Sequence, residues 1–417
     1  EVFGYEGFRV RQAEIIDHVC NGDDALVIMP TGAGKSMCFQ LPGILFEGLT
    51  LVVSPLISLM KDQVESLLAN GVEARYYNST LSASEEAEIK EMSFSGELRF
   101  LYVSPERLFS SSGNWLYDLE LSLVAIDEAH CISMWGHDFR PEYTQLKTVR
   151  KKWGQVPFIA LTATADKTTR KDILEQLGLD NAEVFLGSFD RPNLSLAARG
   201  GVSKRDKFQQ ISRFILQREG ESGIVYCLSR KDTEELSDFL NAQGHDTLAY
   251  HAGLPNDVRS KVQESFIYGK TNVVCATIAF GMGIDKSNVR FVVHSSLPKN
   301  LEGYYQEIGR SGRDGLESDT LLYYSYGDLM MLKRFVDDSG KVDMNTEKLE
   351  QMFRYGETKH CRRKVLLSYF GEEHGGNCGN CDNCLHPHKT FDGTVLAQKA
   401  MSAMVRTNHK IGPISSW

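Results

Sequence analysis

Eight residues constrain this chain more than any other stretch. Met29-Pro-Thr-Gly-Ala-Gly-Lys-Ser36 closes the apolar run Ala25–Met29 and opens a helical pattern beginning near Ser36. Glycines let backbone N–H groups close around phosphate oxygens, a lysine reaches the terminal phosphates, and a serine hydroxyl can bind Mg²⁺. The strict pattern has glycine where Met29 stands, but strand, loop and helix follow in the order this chemistry needs. Thr31, Gly32, Gly34, Lys35 and Ser36 are therefore the expected nucleotide contacts. A loop of this kind at a strand end calls for an α/β fold with a parallel sheet.

The rest of the chain agrees. Short apolar runs are expected as strands at Ala25–Met29, Thr50–Ser54, Arg99–Val103, Leu121–Ile126 and Phe158–Leu161. A second set is expected at Gly223–Leu228, Thr247–Tyr250, Asn272–Ala276, Arg290–His294 and Thr320–Tyr324. Runs of Val, Ile, Leu and Phe separated by helical patterns imply parallel sheets covered on both faces. Arg199-Gly-Gly-Val-Ser203 reads as the linker between the two sets. At 417 residues the chain is too long for one ordinary domain, and 42% hydrophobic with 24% charged residues excludes disorder and collagen. No apolar stretch approaches the ~18 residues of a membrane span. The chain opens on Glu1 with no basic-then-apolar leader, so a secretory signal is expected to be absent or removed and the natural start to be missing.

A nucleotide site needs a second half. Leu121-Ser-Leu-Val-Ala-Ile-Asp127-Glu128-Ala-His130 ends an apolar run on two carboxylates. Asp127 is expected to hold Mg²⁺ and Glu128 to position the attacking water. In the second set, Gln306-Glu-Ile-Gly-Arg310-Ser-Gly-Arg313 places two arginines three apart, which is helical spacing with both on one face. Positive charge delivered to the terminal phosphate is the third requirement of phosphoryl transfer.

These elements, divided between two α/β lobes, resemble superfamily 2 helicases, and the finer match is with RecQ DNA helicases, above all the bacterial catalytic core. Val53-Ser-Pro-Leu-Ile-Ser-Leu-Met-Lys-Asp-Gln63 resembles a DNA-contacting motif, and Ala125 to Pro141 an aromatic-rich loop that marks the family. Leu161-Thr-Ala-Thr-Ala165, Ser188-Phe-Asp-Arg-Pro-Asn193 and Ala276 to Asp285 also sit where family motifs fall. The resemblance implies two RecA-like lobes at 1–195 and 196–340, a zinc-binding module at 341–400, and at 401–417 the start of a winged-helix domain that is otherwise missing. It implies an ATP-dependent DNA helicase with 3′→5′ polarity, acting on single-stranded and partly duplex DNA in repair and recombination. The expected place is the bacterial cytoplasm at the nucleoid, or the nucleus in a eukaryote. Tyr5, Arg9 and Gln12 are carried over as the adenine contacts, and Trp135, His137, Phe139 and Arg140 as DNA contacts coupled to hydrolysis. Aromatic stacking on bases is sequence-tolerant, as a translocating motor requires. Gln306 and Arg310 would assist Arg313 in catalysis. An RNA helicase, and a nucleotide-gated DNA clamp or annealing module without productive unwinding, are the alternatives.

Nine cysteines fall into two groups. Cys20, Cys38, Cys131, Cys227 and Cys275 are isolated, mostly within apolar runs, and read as small hydrophobes. Cys361, Cys378, Cys381 and Cys384 have intervening spacings of 16, 2 and 2. Four thiolates at such spacing fit a tetrahedral structural Zn²⁺, although C-x₂-C-x₂-C is also an iron–sulfur spacing. RecQ proteins carry such a zinc module. The net charge is −9, yet from Arg354 onward nine Lys or Arg face five acids, which suggests a local contact with a polyanion.

Overall fold

The computed structural model describes residues 2–4, 7–133, 139–280, 286–337, 342–388 and 392–406. The first sheet contains β1 (Ala25–Ile28), β2 (Leu49–Val53), β3 (Ala74–Tyr77), β4 (Phe100–Val103), β5 (Leu121–Ile126), β6 (Phe158–Thr162) and β7 (Glu183–Leu186). Its order is β3-β4-β2-β5-β6-β1-β7, with every pairing parallel. The second contains β8 (Leu194–Gly200), β9 (Ser222–Tyr226), β10 (Thr247–Tyr250), β11 (Val273–Ala276), β12 (Val289–His294) and β13 (Ser318–Tyr324). It runs β10-β11-β9-β12-β13-β8, again all parallel.

Alternation along each strand explains why both sheets are covered on both faces. Leu26 and Ile28 of β1 face one apolar cluster, while Ala25 and Val27 face another. The larger cluster continues into the second lobe through Tyr226, Tyr304 and Tyr305 and into the cysteine module through Leu366 and Phe370. Both lobes and the module therefore share one buried core.

Two expectations need correction. The segment Arg199–Ser203 is not an inter-lobe linker, because Arg199 and Gly200 close β8 in register with Tyr323 and Tyr324, and Ser203 caps the next helix. The chain passes between the sheets at 187–193, and the expected boundary after residue 195 falls inside β8. Second, Arg310 and Arg313 do not share a helical face. The helix Leu301–Ile308 ends before them, and Gly312 has φ +60°, so the arginines stand in a turn.

The last described helix, Thr394–Arg406, buries none of its residues. Of the expected winged-helix start at 401–417, residues 401–406 belong to this helix and 407–417 lie outside the described residues. No described helix is long and apolar enough to cross a membrane.

Candidate nucleotide and metal sites

In an open parallel sheet, ligands bind beyond the carboxyl ends of the strands. β5, β6 and β1 are neighbours, so the loops after them converge. After β1, Gly32 and Gly34 adopt φ +84° and +81°. A Cβ on Gly34 would lie 2.5 Å from the Gln12 amide nitrogen, so glycine is needed twice over. Buried Gln12 accepts from the Arg9 N–H at 2.7 Å and donates to the Gly34 carbonyl at 3.0 Å, and the Arg9 guanidinium donates to the Gly32 carbonyl. The two carried-over adenine contacts thus brace the phosphate loop and also line the cavity beside it. Tyr5 lies outside the described residues. Lys35 Nζ donates to the carbonyls of Met29 at 3.1 Å and Pro30 at 3.4 Å. Burial lowers its pKa, against the pull of Glu128 and Asp127.

Asp127 follows β5 and is only 6% exposed, with its N–H on the Val53 carbonyl and its own carbonyl accepting from the Tyr143 hydroxyl at 3.0 Å. Burial, and then repulsion from Glu128, push its carboxyl up to about 7 while Lys35 opposes them. Two acids sharing so little water fit a hard divalent cation, and the Ser36 hydroxyl on the same cavity completes an oxygen donor set of the kind Mg²⁺ takes. Glu128 sits at φ +48°, ψ +45°. Its carboxylate lies 3.2 Å from His130 Nδ1, which also meets Thr162 Oγ1 at 2.8 Å. His130 thereby ties the end of β6 to the second acid.

From the other lobe, the Asn300 side chain caps the helix Leu301–Ile308 by accepting from the Gly303 N–H at 2.8 Å. That helix presents Gln306, whose amide donates across the cleft to Thr164 Oγ1 at 3.3 Å. Arg313 Cγ would sit 3.3 Å from a Cβ on Gly32, so the arginine lies directly over the phosphate loop. The result is one cavity of about 1380 Å³, with Lys35, Ser36, Asp127 and Glu128 on one wall and Gln306, Arg310 and Arg313 on the other.

Of the expected DNA contacts, Trp135 and His137 lie outside the described residues. Phe139 is half-buried. Arg140 donates to the Pro55 carbonyl at 3.0 Å and its N–H to the Cys131 carbonyl at 2.8 Å, which stitches the loop to the Val53–Gln63 segment.

The Sγ atoms of Cys361, Cys378, Cys381 and Cys384 all lie within 4.8 Å of one another, and Cys378 and Cys384 are 4.0 Å apart. A tetrahedron with ~2.3 Å metal–sulfur bonds has edges of roughly 3.8 Å, so one ion fits. A cluster that places each sulfur on a separate iron needs them wider apart. Burial raises the Cys361 thiol, but the N–H groups of Lys364 and Cys378 outweigh it and bring it to about 7, towards the thiolate a metal needs. Not all of the basic segment beside Cys361 faces solvent. Arg362 and Arg363 are each 4% exposed and pair with Asp382 and Asp190 at 2.6 Å, so neither serves a polyanion. Sequence reasoning missed this inward turn, and it quoted His130, Thr164 and Arg191 within motifs without giving them a role.

Comparison with known proteins agrees with this geometry. Residues 9–173 match the DEAD/DEAH box helicase family, 206–315 the helicase conserved C-terminal domain, and 326–385 the RecQ zinc-binding family. The ATP-dependent DNA helicase RecQ of Haemophilus influenzae is 47% identical over 99% of this chain and 67% of its own length. The chain belongs to the RecQ family. The RecQ protein of Pasteurella multocida is 49% identical, with 99% of this chain and 65% of that protein covered, and that of Bacillus subtilis is 42% identical, with 98% and 70% covered. The chain thus spans about two thirds of the length of these RecQ relatives. Among solved structures, the Mycobacterium smegmatis helicase Lhr bound to ssDNA and AMP-PNP has a TM-score of 0.62 at 20% identity, covering 81% of this chain and 49% of that one. Yeast Dbp5 bound to RNA and ADP BeF3 has 0.62 at 15%, covering 83% and 94%. Both share the two-lobed fold.

Proposed function

We propose that this RecQ-family chain is a DNA-stimulated ATPase that moves 3′→5′ along single-stranded DNA and separates duplexes in repair and recombination. The carrying observation is the cavity between the lobes, where the phosphate loop and two carboxylates face a glutamine and two arginines from the opposite sheet. The choice of DNA over RNA rests on the bacterial RecQ relatives being DNA helicases, since the fold is shared with RNA-bound neighbours.

In this reading, backbone N–H groups around Gly32 and Gly34 cradle the phosphates of ATP, and the Lys35 ammonium neutralises the terminal pair. Ser36 and Asp127 would hold Mg²⁺, which supplies charge compensation at the phosphate oxygens. Glu128, oriented by His130, accepts a proton from the attacking water. Arg313, with Arg310 and Gln306 beside it, meets negative charge as it develops in the transition state. Because these groups come from two lobes, the site is complete only when the lobes close, and closure and opening with each turnover would ratchet the DNA strand. The four cysteines would hold a structural Zn²⁺, and four thiolate ligands would leave it no part in catalysis. We place the first working lobe before the passage at 187–193 and the second after it, from β8 to about residue 340. The compartment is the cytoplasm at the nucleoid, or a nucleus.

The test is steady-state ATP turnover with no nucleic acid, with single-stranded DNA and with single-stranded RNA, for wild type and Lys35→Ala. Strong stimulation by DNA, little by RNA and loss of turnover in the variant are expected. Preferential stimulation by RNA would make the chain an RNA motor. A flat rate with DNA still bound would make it a clamp.

A further inference from the structure

We propose that Arg191 is a positioning residue for ATP hydrolysis, holding the arginine-bearing turn of the second lobe against the phosphate loop of the first. The inference deepens the ATPase reading of this cavity and rests on it. Arg191 lies in the passage between the sheets, after β7 and before β8. Its Nη1 donates to the Thr31 carbonyl at 3.3 Å, and its Nη2 to the carbonyls of Ser311 at 3.0 Å and Gly312 at 2.8 Å. Thr31 immediately precedes Gly32, over which Arg313 packs, and Ser311 and Gly312 are the two residues between Arg310 and Arg313. One guanidinium therefore ties the loop that would hold the phosphates to the turn that would deliver the positive charge.

The crosspiece is braced from behind. The Arg191 carbonyl accepts from Arg363 Nη1 at 2.6 Å, the Asn193 amide donates to the Gly312 carbonyl at 3.0 Å, and the Tyr305 hydroxyl to the Phe189 carbonyl at 2.8 Å. The acceptors are neutral carbonyls on two sides of one planar group. A rigid fork with donors pointing in several directions serves both, and a single flexible ammonium does not. Arg191 touches no reacting atom in this arrangement. Its effect comes through Arg313, because a displacement of about 1 Å at a reacting centre costs on the order of 100-fold in rate.

DNA-stimulated ATP turnover is measured for wild type, Arg191→Ala, Arg191→Lys, Arg313→Ala and the Arg191→Ala/Arg313→Ala pair, with bound zinc and the thermal midpoint recorded for each. Arg191→Ala is expected to lower kcat on the order of 10- to 100-fold, with KM for ATP within about twofold if only the transition state is affected. Arg191→Lys, which keeps charge and length, is expected to recover less than half of that loss. Arg313→Ala alone is expected to lose on the order of 10³-fold. The pair should lose no more than Arg313→Ala does, since residues acting as one unit are non-additive. Losses that multiply in the pair, a kcat within twofold of wild type, a defect confined to KM, or full rescue by lysine would each overturn the inference. Should Arg191→Ala fold poorly, the lysine variant alone and combined with Arg313→Ala decides by the same criteria. A wild type without DNA-stimulated turnover would instead overturn the ATPase reading, and the inference with it.

Discussion

Glu128 occupies the left-handed region at φ +48°, where a residue with a side chain stays only if its surroundings hold it. Those surroundings are the Glu128 N–H bonded to Asp127 Oδ1 at 2.9 Å and the carboxylate facing His130. Replacing the acid by its amide keeps size and backbone while removing the proton acceptor. Glu128→Gln is therefore expected to bind ATP with affinity within about threefold of wild type and to lower kcat by 10²–10⁴-fold, the range general-base catalysis covers. Equilibrium nucleotide binding beside single-turnover hydrolysis checks both halves. At this scale the sequence was informative wherever a residue type is chemically forced. Lys35, Ser36, Asp127, Glu128, Arg310 and Arg313 were named from motif spacing and Gln306 from the family resemblance, and all border one cavity. Arg191 was quoted only as part of the Ser188–Asn193 motif and given no role, because the carbonyls it serves in two lobes are brought together only in the fold.

Among the elements, ten of the described strands were legible from their apolar runs, and three were not. Ala74–Tyr77 contains Arg75, Glu183–Leu186 is exposed along most of its length, and Leu194–Gly200 ends in Arg-Gly, so none shows the apolar run expected of a buried parallel strand. All three are edge strands. The turn carrying Arg313 was misread for a related reason: helical spacing persists in the sequence past Ile308, while Gly312 at φ +60° ends the helix in space. A central strand invites a different prediction. Gly223 of β9 is paired with Phe291 of β12, and a Cβ there would come within 2.0 Å of that ring. Gly223→Ala is expected to cost about 1–3 kcal/mol by overpacking, seen as a lower urea midpoint.

Taken whole, the molecule is held together through the cysteine module. Phe370 stacks on Phe189 with centroids 4.5 Å apart, Glu372 accepts from the Phe189 N–H at 2.6 Å, and Arg170 of the first lobe donates to the Phe370 carbonyl at 2.9 Å. The module thus grips both the first lobe and the passage that carries Arg191. Cys381→Ser, fully buried at 0% exposure, is expected to lose zinc and more than about 4 kcal/mol of stability, as losing a structural metal does. ATP turnover should fall in parallel with metal content during chelation and return when zinc is restored. Metal analysis run beside the turnover assay checks this. The same module also lies along β8, the outer strand of the second sheet. Leu196 donates its N–H to the Asn380 carbonyl at 3.2 Å, Ala198 to Asp382 Oδ2 at 2.9 Å, and the Leu194 carbonyl accepts from Arg363. An uncovered strand margin is a template for any other extended chain. A zinc held by these cysteines would therefore guard solubility as well as shape: without it, β8 would offer its free backbone groups to neighbouring copies, and the first sign of zinc loss in a concentrated sample would be turbidity.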